Sequence, residues 1–201
     1  IHGAITSEQR EALDRIQRNQ RHLLGLINEV LNYTRLESGS LRYEITALVA
    51  DEVLRGSEAL ILPQLRAKRL QFTYVGCGNN VMVLADRDRL QQVVLNLLTN
   101  AVKFTDAGGQ VQLTCAMLDA QALISVRDTG VGIPAEKLDV IFDPFVQVDT
   151  NYTRTREGIG LGLAISRDLA RGMHGDLTVE SVEGSRKVHA PVTSSPARIA
   201  C

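Results

Sequence analysis

Cysteine is scarce in this chain: Cys77, Cys115 and Cys201 are odd in number, widely scattered and without metal-ligand spacing. That fits a reducing compartment better than a disulfide framework, with the cytoplasm as the expected location. An excess of one charge is lacking too. The 22 Lys and Arg against 23 Asp and Glu leave a net charge of −1, so neither nucleic acid nor an anionic membrane is an expected partner. No run approaches the roughly 18 apolar residues of a membrane span, and the first residues lack the basic and apolar regions of a signal peptide. No repeat of solenoid period occurs. No G-x-x-x-x-G-K-[ST] is present, and the glycines of "GIGLGL" are spaced G-x-G-x-G, so P-loop and Rossmann readings fall away. The opening on "IHGAITSEQ" rather than Met reads as a piece of something longer.

What is present suits one good-sized core plus an appendage, with 44% of 201 residues hydrophobic. Residues 1–40 read as one long helix. Thr6 with Gln9 is a capping-box signature, and Arg35 with Gly39 supplies a cationic last turn and a stop. Leu13, Ile16, Gln20, Leu23, Ile27, Val30 and Thr34 alternate spacings of three and four, and Leu24 and Leu31 widen the stripe. Such a helix is roughly 45–50 Å long. It takes a partner helix from another subunit or packs on the domain that follows.

From 41 onward strands and helices alternate. "LRYEI" reads as a strand and "ALVADEVLRGSEALILPQLRAKR" as a helix kinked or interrupted at Pro63. "LQFTYV" and "VMVLA" are strands, Asp86 caps a helix through "LNLLTNAVKFT", and "QVQLTCAML" with "ALISVRD" forms a hairpin. "GLGLAISRDLARGM" is a helix and "DLTVES" a strand. Two helices before the hairpin and one after it predict an α+β fold, a two-layer α/β sandwich whose mixed sheet is covered on one face by helices, over residues 41–185. Residues 186–201 read as an irregular tail in which only "KVHAPV" suits a last strand, which leaves a sheet edge exposed.

Three local signals carry chemistry. Asn96 and Asn100 are four residues apart and Lys103 lies one turn on, so a polar stripe runs along a mostly apolar helix. The amides are either ordinary buried amides or ligands. In "DTGVGIP", Asp128 leaves a strand beside Gly130 and Gly132. Its carboxylate either caps the next turn or receives the amino group of a flat ring. In "GIGLGLAIS", Gly158, Gly160 and Gly162 open a helix, which means either tight packing or amides that take phosphate. Between the last two lies "IFDPFVQVDTNYTRTRE", an apolar hinge followed by a polar loop.

Asparagine helix, D-x-G-x-G, paired Phe and G-x-G-x-G, in that order, resemble the N, G1, F and G2 boxes of sensor histidine kinases. These belong to the ATPase superfamily with the Bergerat ATP-binding fold, which includes gyrase B and MutL. "RHLLGLINEVLNYTRLESGSL" resembles the second helix of that family's dimerisation hairpin. The resemblance implies ATP and Mg²⁺ as cofactors, with Asn100 the metal ligand and Asn96 standing where relatives have a catalytic glutamate. Lys103 then faces the phosphates, and Asp128 accepts the adenine amino group beside Gly130 and Gly132. Phe104, Ile133, Phe142, Gly158, Ile159, Gly160, Leu161 and Gly162 complete the pocket, and Arg154 matches a lid arginine. The implied reaction passes phosphate from ATP to a histidine and then to a response regulator receiver domain, within a homodimer. That histidine normally sits in H-[ED]-x-x-[TN]-P, which His2, His22, His174 and His189 all lack, so the acceptor helix is expected upstream of Ile1. Glu157 and Ile159 depart from the usual lid residues. A sister ATPase that uses water, and a non-catalytic nucleotide- or regulator-binding module, are the rival readings.

Overall fold

The computed structural model describes residues 5–38, 41–78, 81–118, 121–147, 159–182 and 185–193. The chain divides into two compact units, Ile1–Leu41 and Arg42–Cys201. The first is helix α1, Ser7–Glu37, opened by Thr6, whose hydroxyl accepts from the Gln9 amide while the Gln9 side chain accepts from the Thr6 amide. Leu13, Ile16, Leu23, Leu24, Ile27, Val30 and Leu31 are all exposed.

In the second unit the order is β1 (Thr46–Val49), α2 (Ala50–Ala67), β2 (Gln71–Val75), β3 (Met82–Ala85), α3 (Arg87–Phe104), β4 (Gln110–Leu118), β5 (Gln121–Asp128), α4 (Gly162–Gly172), β6 (Thr178–Val182) and β7 (Ser185–Thr193). Five strands form one sheet in the order β2-β4-β5-β7-β6, and β1 pairs with β3 beside it. β2 and β4 are parallel, and their crossover contains α3, as a parallel pair requires. The remaining pairings are antiparallel. The result is the expected α+β sandwich, with α3 flanked by α2 and α4 and resting on β4 and β5.

The core follows from two periodicities. On α3, Leu90, Val93, Val94, Leu97, Leu98 and Ala101 are buried. On β4 and β5, Val111, Leu113 and Cys115 stand opposite Asp128, Val126 and Ile124, all of them buried. Alternation along a strand therefore sets Asp128 in a row of core side chains, at the end of the row.

Four expectations are corrected. The first strand is "TALV", not "LRYEI": Thr46 to Val49 pair with Ala85 to Met82, and the helix starts only at Ala50. α2 is not interrupted at Pro63 but runs on to Ala67, with the flanking Ile61 and Leu65 buried in the core. Cys77 and Cys115 form a disulfide, because parallel pairing aligns Val75 with Thr114 and leaves both cysteines just past that pair. Finally, residues 186–193 are not an irregular tail or a shortened edge. β7 is an inner strand, paired with β5 from Gln121↔Thr193 to Asp128↔Arg186 and with β6 from Thr178↔His189 to Val182↔Ser185. Pro191 falls beyond the reach of β6, where β7 is paired on one side only and a strand tolerates proline.

Candidate functional site

Helix α3 is the spine of the site, and both its ends are fixed. At the start, Asp86 Oδ1 accepts from the amides of Asp88 and Arg89 at 3.1 Å each, while Oδ2 accepts from the Glu44 amide at 3.0 Å. One carboxylate thus caps the helix and anchors the segment leading into the domain. At the other end, Lys68 Nζ donates to the carbonyls of Val102 at 2.6 Å and Lys103 at 3.0 Å. Those carbonyls have no partner further along the helix, and a cation there also suits the helix dipole.

Between these ends Asn96, Asn100 and Lys103 lie along one face, each half-buried. Asn96 turns toward α4, where its Nδ2 donates to Ser166 Oγ at 2.7 Å. A Cβ on Gly162 would stand 2.7 Å from Asn96 Oδ1, so the bare backbone at the start of α4 is what admits the amide. The Lys103 ammonium lies 5.0 Å from the centre of the Phe104 ring.

The exit of β5 meets the end of the same helix. Asp128 is 2% exposed, and its Oδ1 accepts from the Gly130 amide at 2.9 Å, so one carboxylate oxygen does cap the following turn. A Cβ on Gly130 would sit 2.6 Å from the Phe104 carbonyl oxygen, to which the Val131 amide donates at 3.4 Å. Here glycine is required by contact rather than by dihedral. Gly132, with φ +75°, is required by dihedral. Ile133 is buried, and its amide donates to Ser181 Oγ at 2.7 Å.

The third group joins the segments on either side of residues 148–158. The Phe145 amide donates to the Gly160 carbonyl at 3.1 Å, and Gly160, at φ +79°, lies so close that a Cβ would meet the Val146 carbonyl at 2.6 Å. Phe142 is covered by the Arg167 guanidinium, 4.6 Å from the ring centre. Arg167 is itself held by Asp176 at 3.0 Å. Burial opposes ionisation of Asp176, but hydrogen bonds from Arg167, the Leu177 amide and Arg171 outweigh it and hold the carboxyl below its usual range. Leu161 is a fully buried core residue, and Ile159 is half-buried. Arg154, Glu157 and Gly158 lie outside the described residues.

Sequence reasoning did not single out Ser166, Lys68 or Arg167. Ser166 left the faintest trace, a hydroxyl residue one turn beyond Gly162 among the buried Ile165 and Leu169. Lys68 touches residues 34 and 35 positions away, and no local pattern reports that pairing.

The family described as histidine kinase-, DNA gyrase B-, and HSP90-like ATPase matches residues 85–194. A sensor-like histidine kinase of Rhizobium meliloti is 36% identical over 180 residues, 90% of this chain and 34% of that protein. Sensor histidine kinase RcsC of Escherichia coli is 40% identical over 168 residues, 81% of this chain and 17% of its own length. The chain therefore spans about a third or less of these curated relatives. The crystal structure of full-length ShkA in complex with AMPPNP superposes with a TM-score of 0.81 at 32% identity, covering 97% of this chain and 41% of that one.

Proposed function

The chain belongs to the histidine kinase-, DNA gyrase B-, and HSP90-like ATPase family, and we propose that it is the ATP-binding catalytic part of a sensor histidine kinase. It passes phosphate from Mg-ATP to a histidine on a separate dimerisation helix, and a response regulator aspartate receives that phosphate next. In the parent protein α1 forms the dimer, through the exposed stripe from Leu13 to Leu31.

The carrying observation is that one helix touches both glycine motifs. Phe104 at the end of α3 abuts Gly130, and Asn96 in its middle abuts Gly162. The asparagine helix thereby meets both glycine motifs, and further support comes from the AMPPNP bound in ShkA.

The donor set suits a metal that arrives with its ligand. Among the described residues no group of three or more His, Cys, Asp or Glu is placed to hold an ion, so a protein-only cage is absent there. Mg²⁺ keeps several waters and binds through few protein oxygens plus phosphates, and the Asn100 amide oxygen meets that need without adding a carboxylate beside the phosphates. When bound, the ion supplies charge neutralisation across the phosphate chain.

The chain's own residues do the rest. Asp128, sunk at the end of the core row, receives the adenine amino group and orients the base. Lys103 adds a point charge. The first-turn amides of α4, which have no side-chain cap from Leu161, face the phosphates. Asn96 cannot abstract a proton from water as a carboxylate does, which favours transfer to a histidine over hydrolysis. Positioning and charge stabilisation account for most of such catalysis.

Titration calorimetry with ATP and GTP tests the site directly. ATP binds and Asp128→Asn weakens it by about 1.5–3 kcal/mol, the worth of a charged hydrogen bond, while GTP, with a carbonyl oxygen in place of the amino group, binds poorly. Equal affinity for the two nucleotides would sink the assignment of Asp128.

A further inference from the structure

Ser166 lies outside the residues assigned above, yet it makes the hydrogen bond that joins the two motif helices. It is 2% exposed, and its Oγ accepts from Asn96 Nδ2 at 2.7 Å across 70 positions of sequence. A serine inside a helix ordinarily turns its hydroxyl to the carbonyl one turn back or to solvent; here it receives an amide from a neighbouring helix. Gly162, four residues earlier, lies on the same face of α4. It completes the contact, since a Cβ there would stand 2.7 Å from Asn96 Oδ1 and 3.2 Å from Nδ2. Gly162 and Ser166 thus form a two-point socket on α4, in which one residue makes room for the amide and the other grips it.

We infer that Ser166 is a positioning residue for Asn96, holding its amide against the first turn of α4. This rests on the nucleotide site proposed above. An asparagine side chain on a half-exposed helix face samples several rotamers, and its two ends differ only by a flip about the last torsion. The bond to Ser166 fixes the amide at the end of the site where α4 presents its free N–H groups, which is the phosphate end. Asn96 accordingly acts as part of α4 as much as of α3, and any shift of α4 carries the amide with it.

The test is a double-mutant cycle on the chain, read by nucleotide binding and by the Asn96 side-chain amide signal in NMR. Ser166→Ala lowers the preference for Mg-ATP over Mg-ADP about fivefold and leaves ADP affinity within twofold. Asn96→Ala does the same, and the double variant is no worse than either single one. Ser166→Thr, which keeps the hydroxyl, restores the preference. Ser166→Cys, close in volume and a weak acceptor, repeats the loss and serves if the alanine variant fails to fold. Additive effects of the two alanine substitutions, or an unchanged ATP-to-ADP ratio in Ser166→Ala, would mean that Ser166 only packs. In the nucleotide-free chain, one Asn96 Nδ2 proton is shifted downfield and loses that shift in Ser166→Ala. This readout stands even if the wild-type chain binds no ATP, an outcome that overturns the proposed function and not the Ser166–Asn96 contact. Unchanged amide resonances overturn the contact itself.

Discussion

Asn100 and Asp128 show how single residues divide the work of the proposed site. Asn100 is half-buried on α3, away from the core positions Leu97, Leu98 and Ala101. Removing its amide therefore costs little packing. In Asn100→Ala the extra affinity that Mg²⁺ gives to ATP disappears, a loss of about tenfold or about 1.4 kcal/mol, while metal-free binding and the fold are retained. Calorimetry with and without Mg²⁺ reads the difference, and equal losses in both conditions would make Asn100 a structural amide. Both asparagines and Asp128 were legible in the sequence because polar residues at helical spacing, or beside glycines at a strand exit, are unusual locally. Ser166 was not legible, because its meaning lies wholly in a residue 70 positions away.

At the scale of elements, α3 depends on what holds its ends. Lys68 supplies two charge-assisted bonds to the last turn, the turn that also carries Lys103. Lys68→Met strips both and lowers unfolding free energy by about 1.5–3 kcal/mol, the range for hydrogen bonds to a charged group, with Lys68→Arg recovering part of it. Urea titration checks this, and an unchanged midpoint would show that the carbonyls are served elsewhere. The start of α2 is pinned in another way. The Tyr74 hydroxyl donates to Asp51 Oδ1, and Arg55 Nε bonds Oδ2 at 2.6 Å.

The Tyr74 bond is the main reason the Asp51 carboxyl lies below its usual value of 3.8; burial opposes it and Arg55 adds to it. Asp176 is lowered as well. A carboxyl whose folded value is depressed contributes stability that is fully present above the unfolded value and is lost as pH falls through the folded one. Urea midpoints are therefore flat at mildly acidic pH and drop below about pH 3.8. Asp51→Asn removes part of that drop, and an identical acid profile in the variant would rule Asp51 out as a contributor.

For the whole molecule, the motif inventory and the chemistry of transfer point the same way. In-line transfer needs a nucleophile about 3–3.5 Å from phosphorus, and no histidine in the chain has the acceptor's neighbours. His174, which is described, sits exposed in a turn at φ +62° after α4. The isolated chain, incubated with γ-labelled ATP, forms no acid-labile phosphohistidine. Supplying a helix with an H-[ED]-x-x-[TN]-P motif in trans gives labelling. Stoichiometric phosphate on His2 or His22 of the isolated chain would move the acceptor inside it and reverse this expectation.

The sequence by itself determined most of the elements and their order, and it singled out the residues of the proposed site. Those follow from hydrophobic period, capping chemistry and glycine placement, all of them forces acting within a few residues. The capping box at Thr6 and the hairpin from Gln110 to Asp128 are of this kind. Tertiary structure alone decided what depends on distant partners. It moved the first strand to Thr46–Val49, because only pairing with β3 tells strand from helix in "TALVADEV". It carried α2 through Pro63 by packing on either side, and it drew residues 185–193 into the sheet between two strands. It joined Cys77 to Cys115 through the register of a parallel pair. It also brought Asn96 to Ser166, since sequence spacing fixes which face a side chain takes but not which helix that face will meet.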